Sequence, residues 1–165
     1  MAAPAAIEIA TASADETRAL AARMSLAARA GDRIALVGPL GAGKTQFAKG
    51  FADGLGIDAV VNSPSFTLMA EYEGRLPMFH QDLYRLAGAE EAIAGGMLDE
   101  RQDEGVTLTE WADRLPAEID ARRLTLRFVL LGGDQRRIGL LPGTPDQQRY
   151  VDAARGWQAD VEAGR

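Results

Sequence analysis

Eight residues constrain this chain more than any others: Gly38-Pro39-Leu40-Gly41-Ala42-Gly43-Lys44-Thr45 fit the pattern G-x-x-x-x-G-K-[ST] in full. The run before them, Ile34-Ala35-Leu36-Val37, is short, apolar and bounded by turn signals, which suits a strand buried on both faces of a parallel sheet. The residues after them, Gln46 to Leu55, read as a helix closed by Gly54 and Gly56. Strand, glycine-rich loop and helix in that order aim backbone amides and a helix N-terminus at one point, which makes a seat for phosphate. Gly41 and Gly43 let the backbone turn inward, Lys44 reaches for the β and γ phosphates of a nucleotide, and the Thr45 hydroxyl is a ligand for Mg²⁺.

Around this centre the chain reads as one α/β domain of 165 residues. Ser13-Ala14-Asp15-Glu16 has the spacing of a capping box, and Leu20, Met24 and Ala27 recur at helical intervals, so the pattern predicts a helix from about Ala14 to Ala30. Ser65 to Tyr72 and Leu76 to Asp82 read as strands joined by a tight turn at Glu73-Gly74. Short helices follow at Ala89 to Ala94 and Met97 to Arg101, then a strand at Val106 to Glu110. Leu124 to Leu131 and Arg137 to Leu141 form two late strands around Gly132-Gly133-Asp134, and a helix from Pro145 to Val161 is capped by Thr144. The expected fold is a P-loop NTPase-like sheet of mixed parallel and antiparallel strands flanked by helices, in a single domain spanning residues 1–165.

Composition narrows the chemistry. The absence of cysteine removes disulfides and thiolate metal sites, and the lone histidine, His80, removes a multi-histidine zinc site, so any metal sits on oxygen ligands. A net charge of -6 provides no general attraction for a phosphate backbone, so RNA would be reached through a partner. The opening MAAPAAIEIA carries no Lys or Arg ahead of an extended apolar core and does not read as a signal peptide, and no apolar run approaches the roughly 20 residues of a membrane span; the expectation is a cytoplasmic protein.

Mg²⁺ in a phosphate loop needs a carboxylate beside the hydroxyl, and two acids end strands that could reach it, Asp82 and Glu110. Spacing alone leaves the choice open. Trp111 follows Glu110 and, by strand alternation, is expected on the opposite face, where a tryptophan is ordinarily core. His80 shares the face of Asp82. Ser63-Pro64-Ser65 occupies the region where such proteins keep a loop that senses the γ-phosphate, and Arg85, Arg136 and Arg137 are candidate phosphate or base contacts. The Asn-Lys-x-Asp module that reads guanine is missing, since Asn62 is the one asparagine and Ser63 follows it, so ATP is the expected nucleotide.

Taken together, GPLGAGKTQFAKGFADGLG, SPSFTLMAEY, HQDLYRL and EWADRLP resemble, in that order, the TsaE family (formerly YjeE). The resemblance implies a small P-loop ATPase that works with TsaD and TsaB to place threonylcarbamoyl on N6 of adenosine 37 of tRNA, with ATP and Mg²⁺ as cofactors and tRNA engaged only through the complex. It implies a nucleotide site on Thr11, Gly38 to Thr45, Gln46 and Arg136, with Arg137 the fallback for the late arginine. It puts the metal on Thr45 and Glu110, and catalytic roles on Lys44, Asp82 and Glu110. Ser63, Ser65, His80, Tyr84, Arg85 and Trp111 follow as switch or accessory residues.

Pro39 departs from the aspartate common at its position, Ser65 replaces threonine and Thr109 is more polar than usual, yet none of these removes a group the chemistry needs. Two other classes fit the loop alone: a small-molecule kinase, which would want an arginine-rich lid, and a binding-only switch, which would not turn ATP over.

Overall fold

The apolar run ahead of the glycine-rich loop forms the central strand of a sheet that has seven strands among the described residues. The computed structural model describes residues 6–64, 68–84, 100–114 and 121–164. In chain order the elements are β1 (Ile7–Thr11), α1 (Ala14–Ser25), β2 (Arg33–Val37), α2 (Lys44–Gly54), β3 (Met69–Tyr72) and β4 (Met78–Asp82). They continue with β5 (Val106–Glu110), β6 (Leu124–Gly132), β7 (Gln135–Leu141) and α3 (Gln148–Ala163). The strand order is β1-β7-β6-β2-β5-β4-β3.

β2 pairs in parallel with both β5 and β6, and β4 pairs in parallel with β5, so four parallel strands make the middle of the sheet. Antiparallel β7 and β1 extend one edge and β3 the other. The carboxyl ends of the parallel strands meet at one rim, the place where open α/β sheets bind ligands. Register sets what stands there: Glu110 is the partner of Leu36 on one side and of Asp82 on the other.

α1 and α2 pack together over the core. Gly50 makes the approach possible, because a Cβ there would lie 2.2 Å from the Arg18 carbonyl oxygen. Phe47 and Phe51 are fully buried beside Leu20, Met24 and Ile34, each such side chain contributing about 1.5–3 kcal/mol of burial. α3 is tied to the opposite end of the sheet, where the Asp32 carboxylate accepts from Arg149 Nη2 at 2.6 Å and from the Tyr150 hydroxyl at 2.5 Å.

Several sequence expectations need correction. The first helix stops at Ser25, short of Ala30, because the chain switches to three-residue turns at Leu26 to Ala28, and Arg75 Nη2 takes the Ser25 and Ala28 carbonyls at 2.9 and 3.2 Å. The turn after Tyr72 is a five-residue connection, with Met78 opposite Tyr72, because the Arg75 amide is drawn to the Leu55 carbonyl at 2.7 Å. β1 is not among the expected elements, although Ile7-Glu8-Ile9 alternates apolar and polar as a half-buried strand does; antiparallel pairing with β7 makes it the edge of the sheet. The helices expected at Ala89 to Ala94 and Met97 to Arg101 fall largely outside the described residues, and Glu100–Glu104 is a 3-10 helix. No helix among the described residues is long and apolar enough to cross a membrane.

Candidate functional site

The chain leaves β2 at Val37, runs through the glycine-rich loop and enters α2 at Lys44. Gly43 is the residue before the helix, and its φ of +101° is a conformation that a side chain would strain. The first intrahelical bond joins the Phe47 amide to the Gly43 carbonyl at 2.9 Å, so the amides of Lys44, Thr45 and Gln46 have no acceptor within the helix. Such amides at a helix N-terminus attract an anion. The loop lines a cleft of about 520 Å³ that also takes in Ser63, Asp82, Tyr84, Glu110 and Trp111.

Both candidate acids stand in this cleft, nearly buried, at the ends of adjacent strands. The Thr45 hydroxyl lies 3.0 and 3.2 Å from the two Glu110 oxygens. His80, fully buried on β4, places Nε2 at 2.6 Å from Glu110 Oε2, while its Nδ1 has no hydrogen-bond partner among the described residues. Asp82 is held differently: the Ser63 hydroxyl donates to Oδ2, and the Tyr84 amide donates to Oδ1 at 2.9 Å. Thr45 therefore selects Glu110 as its carboxylate, and Asp82 belongs to the loop around Ser63.

This donor set fits Mg²⁺ bound with a nucleotide. No cluster of three or more His, Asp or Glu suited to hold a metal alone is present among the described residues. One hydroxyl and one carboxylate, completed by phosphate oxygens and water, is the arrangement a small hard cation takes in phosphate-loop sites.

Lys44 is buried to 4% exposure, and its ammonium donates to the Gly38 carbonyl and, at 3.5 Å, to that of Pro39. It also lies 3.4 Å from the centroid of the Trp111 ring. Burial pushes the Lys44 pKa down, against the pull of Glu110, Asp113 and Asp82 in the other direction. The expectation that Trp111 faces away from Glu110 fails. The chain leaves β5 at Glu110, and Trp111 takes φ of +58°, which swings its ring into the cleft against Tyr84 at 4.9 Å between centroids. Strand alternation applies only while the strand lasts.

The late arginines diverge. Arg136 lines the cleft and donates to the Gly41 and Ala42 carbonyls at 3.0 Å each, whereas Arg137 pairs with Glu8 at 3.7 Å on the outer face. Leu40 and Gln46 line the cleft, the latter accepting from Arg18, while Gly38 and Pro39 meet Lys44 through their carbonyls. Thr11 does not line it. Its buried hydroxyl is 2.8 Å from that of Thr17, which does. Ser65 and Arg85 lie outside the described residues. Ala14, Thr17 and Asp134 join the cleft without having been singled out, and no local motif marks them, since α1 and the β6–β7 turn reach the loop only through packing.

A family model described as "Threonylcarbamoyl adenosine biosynthesis protein TsaE" matches residues 11–138. The chain is 42% identical over 129 residues to the tRNA threonylcarbamoyladenosine biosynthesis protein TsaE of Bacillus subtilis, covering 78% of this chain and 80% of that protein. It is 41% identical over 108 residues to the protein of the same name in Treponema pallidum, covering 66% and 80%. The crystal structure of Bacillus subtilis YdiB superposes with a TM-score of 0.68 at 35% identity, covering 94% of this chain and 95% of the other.

Proposed function

This chain belongs to the TsaE family of tRNA threonylcarbamoyladenosine biosynthesis, and from that premise we propose that it binds and hydrolyses MgATP to support threonylcarbamoylation of adenosine 37 by TsaD-like and TsaB-like partners. One observation carries the reading: the Thr45 hydroxyl and the Glu110 carboxylate meet in the same cleft as the amides that open α2.

On this reading the loop amides and the Lys44 ammonium hold the β and γ phosphates. Lys44 is stored on the Gly38 and Pro39 carbonyls and the Trp111 face, so phosphate oxygens replace weaker acceptors as it moves. Thr45 and Glu110 would hold Mg²⁺, which would neutralise phosphate charge when bound. Asp82, fixed through Ser63 and the Tyr84 amide, orients the attacking water. Catalysis is then positioning and charge stabilisation.

A γ-phosphate site also needs water excluded, and here the cleft is open toward solvent at Leu40, 75% exposed. Partners would complete it. Hydrolysis by the chain alone is therefore slow and rises with TsaD-like and TsaB-like proteins present. Reconstitution with purified partners and unmodified tRNA tests this: modification over many turnovers should need this chain with Lys44 and Glu110 intact. Equal turnover without the chain would remove the proposed role.

A further inference from the structure

The β6–β7 turn and the phosphate loop are joined through Arg136. Its Nε donates to the Ala42 carbonyl and its Nη2 to the Gly41 carbonyl, each at 3.0 Å. Nη1 donates to the carbonyls of Gly133 and Gln135, at 2.7 and 2.8 Å. Four of the guanidinium N–H groups therefore go to backbone oxygens, two on each segment, in a fork that only a planar arginine provides.

The loop-side bonds have a geometric consequence. In a planar trans peptide the C=O and the following N–H point in opposite directions. Drawing the Ala42 oxygen toward Arg136 turns the Gly43 amide the other way, and Gly43 then enters α2 at φ of +101°. The Gly41–Ala42 peptide is oriented likewise, with the Ala42 amide satisfied by the Pro39 carbonyl at 3.1 Å. Glycines in a loop this rich in them would otherwise sample many conformations.

We propose that Arg136 is a positioning residue that presets the peptide planes from Gly41 to Gly43, so that the phosphate loop is formed before a polyphosphate arrives. The ligand part of this inference rests on the proposed phosphate site, and the loop part does not. A preformed loop spares binding the ordering of its backbone, so losing the fork weakens all polyphosphates alike. A direct contact with the nucleotide would act otherwise, because a lysine could replace its charge.

The test compares wild type with Arg136→Ala and Arg136→Lys. Calorimetry with inorganic tripolyphosphate, MgADP and MgATP should show affinity lowered roughly ten- to hundred-fold for all three by a similar factor, with Arg136→Lys no better than Arg136→Ala. In the free proteins, ¹⁵N order parameters at Gly41 to Gly43 should fall in both variants from about 0.85 toward 0.6. Wild-type binding by Arg136→Lys, or loop order parameters unchanged in both variants, would overturn the proposal. If wild type bound no polyphosphate, the phosphate-site reading would fall, and the order parameters would still decide the role of Arg136.

Discussion

Replacing Gly50 by alanine sets helix propensity against packing, and the structure decides which wins. Gly50 lies inside α2, where alanine is favoured over glycine by about 1 kcal/mol on propensity alone. A Cβ there would stand 2.2 Å from the Arg18 oxygen, 2.5 Å from its Cα and 2.7 Å from its carbonyl carbon. All three are backbone atoms of α1, whose Leu20 and Met24 are fully buried, so nothing can swing aside and the helices must part by about 1 Å. Overpacking of this kind costs about 1–3 kcal/mol or more, and the rigid backbone puts the cost at the upper end.

The net expectation is a loss of about 1–2 kcal/mol, or a melting midpoint lower by roughly 2–8 °C for a chain of this size. Gly156, inside α3, is the control. A Cβ there meets the tip of the Arg23 guanidinium at 2.9 Å, which can move, so Gly156→Ala should be neutral or stabilised by up to about 1 kcal/mol. Thermal unfolding followed by circular dichroism measures both. A Gly50→Ala midpoint at or above wild type would refute the packing argument. Because α2 begins at Lys44 and Thr45, the same variant should also bind MgADP more weakly.

Glu110→Ala should weaken the Mg²⁺ dependence of nucleotide binding roughly ten- to hundred-fold while leaving metal-free binding near wild type, by calorimetry with and without Mg²⁺; an unchanged dependence would take the metal off β5. Lys44→Ala should abolish tight MgATP binding. Since burial lowers the Lys44 pKa and phosphate would raise it again, wild-type binding in alkaline buffer should take up protons, seen as a heat that varies with buffer ionisation enthalpy. Burial and the Asp32 carboxylate raise the Tyr150 pKa above its ordinary 10.0. The folded state then holds a proton that the unfolded chain releases, so stability is full below that pH and falls above it by up to about 1.4 kcal/mol per pH unit. Tyr150→Phe should be less stable at neutral pH and lack that alkaline limb in denaturant titrations.

The phosphate loop, its flanking strand and helix, and β5 were legible in the residues, because each is local: an apolar run, a glycine pattern or a helical period says what its own backbone will do. Asp82 and Glu110 could be named as strand-end acids for the same reason. Spacing could not choose between them. The family resemblance pointed to Glu110; the register sets the two carboxylates side by side, with the Thr45 hydroxyl bonded to Glu110 while the Ser63 hydroxyl and the Tyr84 amide bond Asp82. β1 is the exception: Ile7-Glu8-Ile9 alternates as a half-buried strand does, but the run is short and its hydrogen bonds belong to β7, distant in the chain.

Trp111 shows the limit most directly. Period two predicts the wrong side of the sheet, since a single left-handed residue at the strand's end turns its ring onto Lys44. His80, unremarkable as a lone histidine, becomes the support of Glu110 only because β4 lies beside β5. The sequence by itself thus determined the phosphate-loop pattern, the strand-end acids and the order of most local elements. Residue spacing left to tertiary structure which carboxylate meets Thr45, which arginine faces the loop and where Trp111 points, because each depends on a distance between segments far apart in the chain.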